Sequence, residues 1–362
     1  MKRSIVVAER MPAETIEREV VDLEKVAVWM DGQRLGDGPI TNVERLAGGT
    51  QNVLLAFTRA DRRFVLRRPP EHLRANSNET MRREARVLGA IAGSGVPHPR
   101  LIAGCPDEDV IGASFYLMEP VDGFNPSTGL PDLHRNDPAT RHAMGLELAD
   151  AIAKLGALDY RAVGLEGFGK PDGFLERQVS RWKSQLESYA QFDGYAGPQI
   201  PGVDEVGRWL DERLPAQWRA GIIHGDYHFA NVMFRYDGPQ LAAVVDWELS
   251  TIGDPLLDLG WLLATWPDSD QVATSAVAVA PTDGFPTPDE LVARYATSSD
   301  RDVSAISWYA VLACYKLGII LEGTNARADA GKAPRETGDM LHAMTVGLFE
   351  RALKTMGTEN GH

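Results

Sequence analysis

The chain has 362 residues and a formal net charge of −14. Hydrophobic residues make up 44% of it and charged residues 24%, a balance typical of a globular protein with one large domain or two ordinary ones. The acidic excess argues against a nucleic-acid partner that binds through a general basic surface. Residues 1–118 are close to neutral, so nearly all of the negative charge belongs to the remainder of the chain.

The cysteine count and the hydropathy pattern indicate in which cellular compartment the protein is expected. Two cysteines are too few for a disulfide scaffold or a cysteine-based zinc cluster. No apolar run approaches the roughly 18–20 residues that a membrane helix needs. Charged residues return at Glu9 and Arg10, too early for a signal-peptide core. We therefore expect a reduced, cytoplasmic protein with no membrane partner.

The first third of the chain mixes helical and strand character. Apolar residues at helical spacing predict an amphipathic helix across 14–33 and a second helix across 79–91. Short apolar segments predict five strands, of which the first three form an antiparallel meander: 42–46, 53–58, 63–68, 100–103 and 113–118.

After about residue 135 helical periodicity dominates. Seven helices are predicted, at 139–158, 174–189, 203–214, 255–265, 288–297, 303–323 and 338–356. Two strand-like runs at 232–235 and 241–245 interrupt them, and the Pro- and Gly-containing stretch 267–287 predicts an exposed loop. His134 and His142 stand near a polar helix face, so we expect both side chains to be solvated.

One stretch carries a pattern of candidate catalytic residues. The sequence HGDYHFAN at 224–231 is followed, after the two strand-like runs, by DWE at 246–248. Phosphoryl transfer from a magnesium nucleotide needs one carboxylate to accept or orient the proton of the attacking hydroxyl. It also needs an amide oxygen and a second carboxylate to hold magnesium, which favours oxygen ligands. A tight hairpin between the runs would bring Asn231 and Asp246 to one edge of a cleft.

This stretch resembles the catalytic loop H-G-D-x-x-x-x-N of aminoglycoside phosphotransferases and related small-molecule kinases, a relative of the protein-kinase loop. The resemblance implies an α+β, protein-kinase-like fold of two lobes, with a small antiparallel β N-lobe and a mostly helical C-lobe. It implies Asp226 as the catalytic base, Asn231 and Asp246 as ligands of Mg²⁺, and ATP or GTP as the phosphoryl donor. His224 would hold the loop, and the family motif G-D-P-x-x-D-L at 253–259 would brace it.

The front third carries further parts of the same resemblance. The glycine-rich turn before the second strand matches a phosphate-covering loop, which implies contacts from Gly49, Thr50 and Asn52 to the nucleotide phosphates. The third strand aligns with V-A-I-K and places Arg67 where the family usually has lysine. Arg67 would neutralise the phosphates through a fork rather than a point charge. Glu84 matches the glutamate that pairs with this residue.

The segment FYLMEPVDG at 115–123 resembles the interlobe hinge of these kinases. Backbone groups of Glu119 and Val121 would contact the adenine edge, and Met118 would lie at the back of the adenine pocket. The resemblance covers roughly residues 40 to 350. It divides the chain into an N-lobe at 1–118, a hinge at 119–123 and a C-lobe at 124–362 that holds the catalytic loop and the acceptor site.

The motifs are most similar to a branch that includes the kinase-like domains fused to some acyl-CoA dehydrogenases. The acceptor stays open among an aminoglycoside, a hydroxyacyl-CoA, a sugar and an amino alcohol, and so does the oligomeric state. The acidic C-lobe would attract a cationic aminoglycoside, whereas Arg177, Arg181 and Lys316 would suit an anionic acceptor. Because Arg67 replaces the usual lysine, the alternative is a catalytically weak pseudokinase that binds nucleotide or serves as a scaffold.

Overall fold

The computed structural model of the protein describes residues 21–46, 52–70, 72–267 and 279–359. These residues form two units. The first comprises the described part of Met1–Phe124 together with Val163–Leu165 and Ala242–Glu248. The second comprises the described parts of Asn125–Ala162, Glu166–Leu241 and Leu249–His362. Strands dominate the first unit and helices the second, which confirms the predicted α+β class.

The first unit contains a five-stranded antiparallel sheet. Its strands are β1 (Thr41–Arg45), β2 (Val53–Arg59), β3 (Arg62–Arg68), β4 (Leu101–Cys105) and β5 (Phe115–Met118). They run in the order β1-β2-β3-β5-β4, so the predicted meander is one side of a larger sheet. Ala60 and Asp61 join β2 to β3 with positive φ angles of 45° and 62°. Such two-residue turns match the twist of antiparallel strands.

Two helices complete the first unit, α1 (Leu23–Gly32) and α2 (Ser77–Ala90). The helix predicted from residue 14 is described only from Leu23 onward. Val26 and Met30 on α1 are fully buried in the core that the sheet's apolar face forms. Arg59 at the end of β2 is also buried, and it donates to the carbonyls of Gly38 at 2.9 Å and Ala27 at 3.0 Å. Its guanidinium also pairs with Asp31, so a single cation ties α1 to the sheet.

The second unit is built mainly from helices. They are α3 (Asp132–Asn136), α4 (Pro138–Ala157), α5 (Gln178–Ser188), α6 (Val203–Glu212), α7 (Leu256–Ala264), α8 (Pro288–Ser298), α9 (Ile306–Asp329) and α10 (Arg335–Glu359). Three short strands also belong to this unit: β6 (Gly221–Ile223), β7 (Val232–Phe234) and β9 (Thr251–Gly253). A further short strand, β8 (Leu241–Val244), lies almost wholly in the segment of the first unit that begins at Ala242. β6 pairs antiparallel with β9, and the sequence did not predict β9 because three residues are too few to show a period.

Two predicted features of this unit differ in the structure. The helix predicted from residue 174 begins at Gln178, because Phe174 N donates to Pro171 O at 2.9 Å and closes a turn first. His134 was expected to be solvated, and that prediction is wrong. Its ring is fully buried, with Nε2 2.9 Å from Gly238 O, whereas His142 is partly exposed beside Glu290.

Helix α9 passes through the middle of the second unit, where α7 and α10 pack against it. It has 24 residues, and the mean hydropathy of its most apolar 18-residue window is 1.3. The expectation that no stretch is long and apolar enough to span a membrane is therefore wrong for this helix. Because 67% of that window is buried within the structure, packing accounts for its apolar composition.

The contact between α7 and α9 predicts that alanine substitution will affect the stability of the protein differently at two glycine positions. A Cβ at Gly260 would lie 2.6 Å from the backbone C and O atoms of Tyr309, whereas a Cβ at Gly357 in α10 would meet nothing within 4 Å. We expect Gly260→Ala to lower the free energy of unfolding by about 1–3 kcal/mol, because the two helices must separate. Gly357→Ala should leave it unchanged or raise it by up to about 1 kcal/mol. Urea denaturation measures both, and equal stabilities would contradict this close approach.

Candidate active site

Arg67 occupies the centre of a buried charged cluster in the first unit. It lies on β3 opposite Leu54 on β2 and Tyr116 on β5. Its Nε is 2.9 Å from Glu84 Oε2, and its Nη2 donates to Glu84 Oε1 at 3.2 Å and to Asp246 Oδ1 at 2.6 Å. The Arg67 side chain is 8% exposed and that of Glu84 1%. A planar guanidinium can reach two carboxylates at once, which a lysine ammonium does less readily.

Burial and neighbouring charges shift the pKa values of Arg67 and Glu84 in opposite directions. Burial works to lower the pKa of Arg67, but the carboxylates of Glu84 and Asp246 outweigh it and the pKa is raised. Burial raises the pKa of Glu84 to about 7, although Arg67 opposes this shift. Tyr116 Oη donates to Glu84 Oε2 at 2.7 Å, and burial raises the pKa of this phenol too. Arg67 therefore stays charged, and its charge limits the rise in the pKa of Glu84.

Asp246 adopts a left-handed backbone conformation, with φ 65°. Non-glycine residues in this region are uncommon, and they concentrate where the surrounding structure holds a side chain for function. One carboxylate oxygen each from Glu84, Asp246 and Glu248 lies within 4.8 Å of the others. Asn52 Nδ2 donates to Glu248 Oε2 at 3.4 Å. Because carboxylate oxygens are the ligands that magnesium prefers, this donor set fits a divalent cation.

The predicted adenine contacts lie in the first unit, at the last residue of β5 and in the segment just after it. Met118 pairs with Val65 and Leu101 in the sheet and is half-buried. Glu119 N already donates to Arg100 O at 2.9 Å, and the Glu119 carboxylate accepts from Arg100 and Arg62. A contact from Glu119 to adenine would therefore use its carbonyl rather than its N–H.

Val121 is also half-buried and lies in the short connection after β5. The predicted phosphate contacts Gly49 and Thr50 lie outside the described residues. Asn52, the third residue of that prediction, is described and bonds to Glu248 as above.

The loop at 224–231, which the sequence predicts to be catalytic, is held in the second unit by Asp258 on α7. The Asp258 carboxylate is buried and accepts from His224 N at 2.7 Å and from Gly225 N at 2.9 Å. Burial raises its pKa, and these two bonds oppose the shift. Gly225 has φ 88°, and a Cβ there would lie 2.5 Å from Leu249 O. Only glycine fits this position, because both its backbone angle and the available space exclude a side chain.

Both oxygens of the Asp226 carboxylate face donors from its own loop. His228 Nε2 lies 3.2 Å from Oδ1, and Asn231 Nδ2 donates to Oδ2 and to the Asp226 carbonyl, both at 2.9 Å. Because His228 Nδ1 accepts from Ala230 N at 3.2 Å, its proton is assigned to Nε2, which donates to Asp226. Burial works to raise the pKa of Asp226, but the hydrogen bond from His228 and the electrostatic effects of its surroundings, Lys316 among them, prevail and the pKa is about 2.

The structure thus brings the predicted residues together in two groups. Arg67, Glu84 and Asp246 meet in the first unit, and Asp226 and Asn231 meet in the second. Sequence reasoning missed the roles in these groups of His228 and Glu248. The signal for His228 was its position two residues after Asp226, and the signal for Glu248 was its position two residues after Asp246.

Comparisons with known proteins support one family. Residues 42–292 match the model of the phosphotransferase enzyme family. A crystal structure from Ralstonia eutropha, provisionally assigned as an aminoglycoside phosphotransferase, is 30% identical. It covers 92% of this chain and 99% of its own chain, with a TM-score of 0.76. A variant of aminoglycoside 2′-phosphotransferase-IIIa in complex with GDP is 14% identical over 91% of this chain and 98% of its own. Its TM-score of 0.60 reflects a similar fold.

Curated relatives of known name are longer. Acyl-CoA dehydrogenase family member 11 of Gallus gallus is 30% identical over 321 residues, which cover 86% of this chain and 40% of the relative. The chain spans less than half the length of the curated relatives it matches.

The Arg67 geometry predicts a graded loss of stability. Arg67→Met leaves Glu84 buried without its cation, so we expect the free energy of unfolding to fall by about 3–5 kcal/mol. Arg67→Lys keeps the charge but not the fork, and its loss should be smaller. Adding Glu84→Gln to Arg67→Met should recover part of the loss, because the buried carboxylate is then gone. Urea denaturation of the single and double variants measures this, and additive effects would contradict the ion pair.

Proposed function

Because the chain belongs to the phosphotransferase enzyme family and has a protein-kinase-like α+β fold, we propose that it transfers the γ-phosphoryl group of ATP or GTP to a hydroxyl group of a small molecule. The observation that carries this proposal is the arrangement around Asp226. Its carboxylate is held by His228 and Asn231, has a low pKa and is still 29% exposed. Proton removal from an acceptor hydroxyl requires such a fixed, ionised and accessible group.

In the proposed reaction the acceptor hydroxyl donates a hydrogen bond to Asp226 and its oxygen attacks the γ-phosphorus. A new O–P bond forms, the bond from the γ-phosphorus to the β,γ-bridging oxygen breaks, and the nucleoside diphosphate leaves with that electron pair. The proton passes to the Asp226 carboxylate. Because the pKa of Asp226 is about 2, the proton moves only after the hydroxyl oxygen has largely bonded to phosphorus.

The chain's own oxygen donors support Mg²⁺ as the cofactor. Asn231 donates to Asp226 through its amide nitrogen, which leaves its amide oxygen for a cation. Asp246 uses Oδ1 to accept from Arg67 and keeps a second carboxylate oxygen. We assign Asn231 and Asp246 to the metal, with Glu248 as a further carboxylate. When bound, Mg²⁺ would neutralise negative charge on the transferring phosphates.

The nucleotide contacts are assigned within the first unit. Arg67 Nη1 is assigned to the phosphates, while Nη2 donates to both carboxylates and Nε lies 2.9 Å from Glu84 Oε2. Met118, Glu119 and Val121 are assigned to the adenine, and Gly49, Thr50 and Asn52 to the phosphate-covering loop. The GDP bound by one solved relative supports a nucleotide as the donor.

The acceptor class is the open part of the proposal. The names of the solved relatives favour an aminoglycoside, and those of the curated relatives favour a molecule related to acyl-CoA. The assay therefore measures nucleoside diphosphate release with ATP or GTP across aminoglycosides, hydroxyacyl-CoAs, sugars and amino alcohols. Nucleotide binding without phosphoryl transfer to any of them would favour the pseudokinase alternative.

The role of Asp226 predicts a specific loss of turnover. Asp226→Asn removes the proton acceptor but preserves the shape of the side chain. We expect kcat to fall by about 10²–10⁴-fold with the best acceptor, while Mg-nucleotide affinity changes little. Asp237→Asn, at an exposed aspartate three residues after the end of β7, is the matched control and should keep full activity. Unchanged turnover in Asp226→Asn would remove Asp226 as the base.

If Asp246 is a magnesium ligand, its substitution should change how nucleotide binding depends on Mg²⁺. Asp246→Asn should weaken nucleotide binding by on the order of 10- to 100-fold when Mg²⁺ is present, and much less in excess chelator. Isothermal titration calorimetry with and without Mg²⁺ measures the difference, and Asp61→Asn at the β2–β3 turn is the control. Equal weakening in both conditions would assign the effect to the lost Arg67 ion pair instead of the metal.

A further inference from the structure

Lys316 on α9 reaches the catalytic loop of the second unit. Its Nζ donates to Gly225 O at 3.2 Å, which is the carbonyl of the peptide that joins Gly225 to Asp226. The same ammonium lies 4.3 Å from the centre of the Trp261 ring and 5.6 Å from that of Trp182. Two indole faces and one carbonyl thus enclose the charge, and cations over indole rings are attracted electrostatically.

The loop segment before Asp226 is therefore held from both sides. Asp258 accepts the N–H groups of His224 and Gly225, and Lys316 donates to the Gly225 carbonyl. These bonds fix the backbone on the N-terminal side of Asp226, while His228 and Asn231 fix its carboxylate. A displacement of about 1 Å at a reacting group can cost roughly 100-fold in rate, so such anchoring bears on turnover.

The buried charge of Lys316 suggests that its ammonium, and not only the length of its side chain, matters at this position. A methionine would fill the space between the two indoles without the cost of burying an ammonium group. The charge faces the carboxylates of Asp226 and Asp258, which favour it, and the guanidinium of Arg181, which opposes it. Burial has the largest effect and lowers the pKa of Lys316 to about 8.

We propose that Lys316 is a positioning residue for phosphoryl transfer. Its ammonium anchors the Gly225–Asp226 peptide and offsets the negative charge that the Asp226 carboxylate brings to the reacting group. This inference rests on the proposed function. It assigns a role to a side chain 90 residues beyond Asp226 in the chain, outside the catalytic-loop and Asp-Trp-Glu motifs.

The decisive experiment compares three variants across pH 6–10 with the best acceptor. In the wild type, kcat should fall as pH rises through about 8, because Lys316 loses its proton. Lys316→Arg should retain most of the activity and lose this alkaline fall, because arginine stays charged. Lys316→Met should lower kcat by roughly 10- to 100-fold at every pH, with little change in the nucleotide KM. Lys183→Met, at an exposed lysine on α5, should match the wild type.

An alkaline fall that persists unchanged in Lys316→Arg, or full activity in Lys316→Met, would overturn the proposal. Urea denaturation of each variant separates a loss of fold from a loss of positioning. Rescue of activity by arginine but not by methionine would support the role of the charge.

A second measurement does not depend on finding the acceptor. The ε-carbon signal of Lys316 in ¹³C-lysine NMR, identified by its disappearance in Lys316→Arg, should titrate near pH 8 in the wild type. In Asp226→Asn its pKa should fall, because a neighbouring negative charge is lost. An unchanged pKa would overturn the link between Lys316 and Asp226. If no acceptor supports turnover but this shift appears, the proposed function fails while the coupling stands.

Discussion

A buried guanidinium shared by two carboxylates organises the first unit. An ionised carboxylate such as Glu84 can lie in an apolar interior only if a cation and hydrogen bonds replace the water it has lost. Arg67 supplies that cation, and its fork extends the same contact to Asp246. One side chain therefore connects a central strand, helix α2 and a chain segment 179 residues further along. This constraint decides where the candidate metal ligand stands.

Arginine in place of the usual lysine gives this cluster its particular form. A lysine ammonium is a point charge, whereas the guanidinium spreads its charge over a planar fork of nitrogens. Nε and Nη2 of Arg67 both face Glu84, and the same Nη2 also donates to Asp246. Arg67, the substitution that suggested a pseudokinase, is therefore compatible with an intact set of charged contacts.

In the second unit, charged side chains provide hydrogen-bond partners for the backbone groups of the loop that contains Asp226. The catalytic loop turns sharply at Gly225, so its peptide groups cannot all pair within regular secondary structure. Asp258 accepts two of the N–H groups, and Lys316 donates to a carbonyl. The anion from α7 and the cation from α9 thus satisfy peptide groups of the loop next to Asp226, whose carboxylate is held by His228 and Asn231. The contacts that stabilise the loop are therefore also those that would position Asp226 for the proposed chemistry.

Local patterns were enough to determine much of this protein. Helical and strand periodicity placed most elements within a few residues, and one motif of eight residues named Asp226 and Asn231 as candidate site residues, although their mutual hydrogen bond was not predicted. These features depend on near neighbours in the chain, so the sequence expresses them directly. The buried His134, the short strand β9 and the late start of α5 depend on neighbours from elsewhere, and local pattern did not predict them.

Tertiary structure alone decided which distant side chains share a site. The Arg67–Asp246 contact spans 179 residues and the Lys316–Gly225 contact spans 91, and no periodicity encodes either distance. Family motifs could name Arg67 and Asp246 separately, but only packing shows one bound to the other. The sequence indicated Lys316 only as a cation that would suit an anionic acceptor, whereas the fold encloses its ammonium between two indoles and the carbonyl of Gly225. The sequence determined which chemical groups the protein has, and packing determined which of them meet.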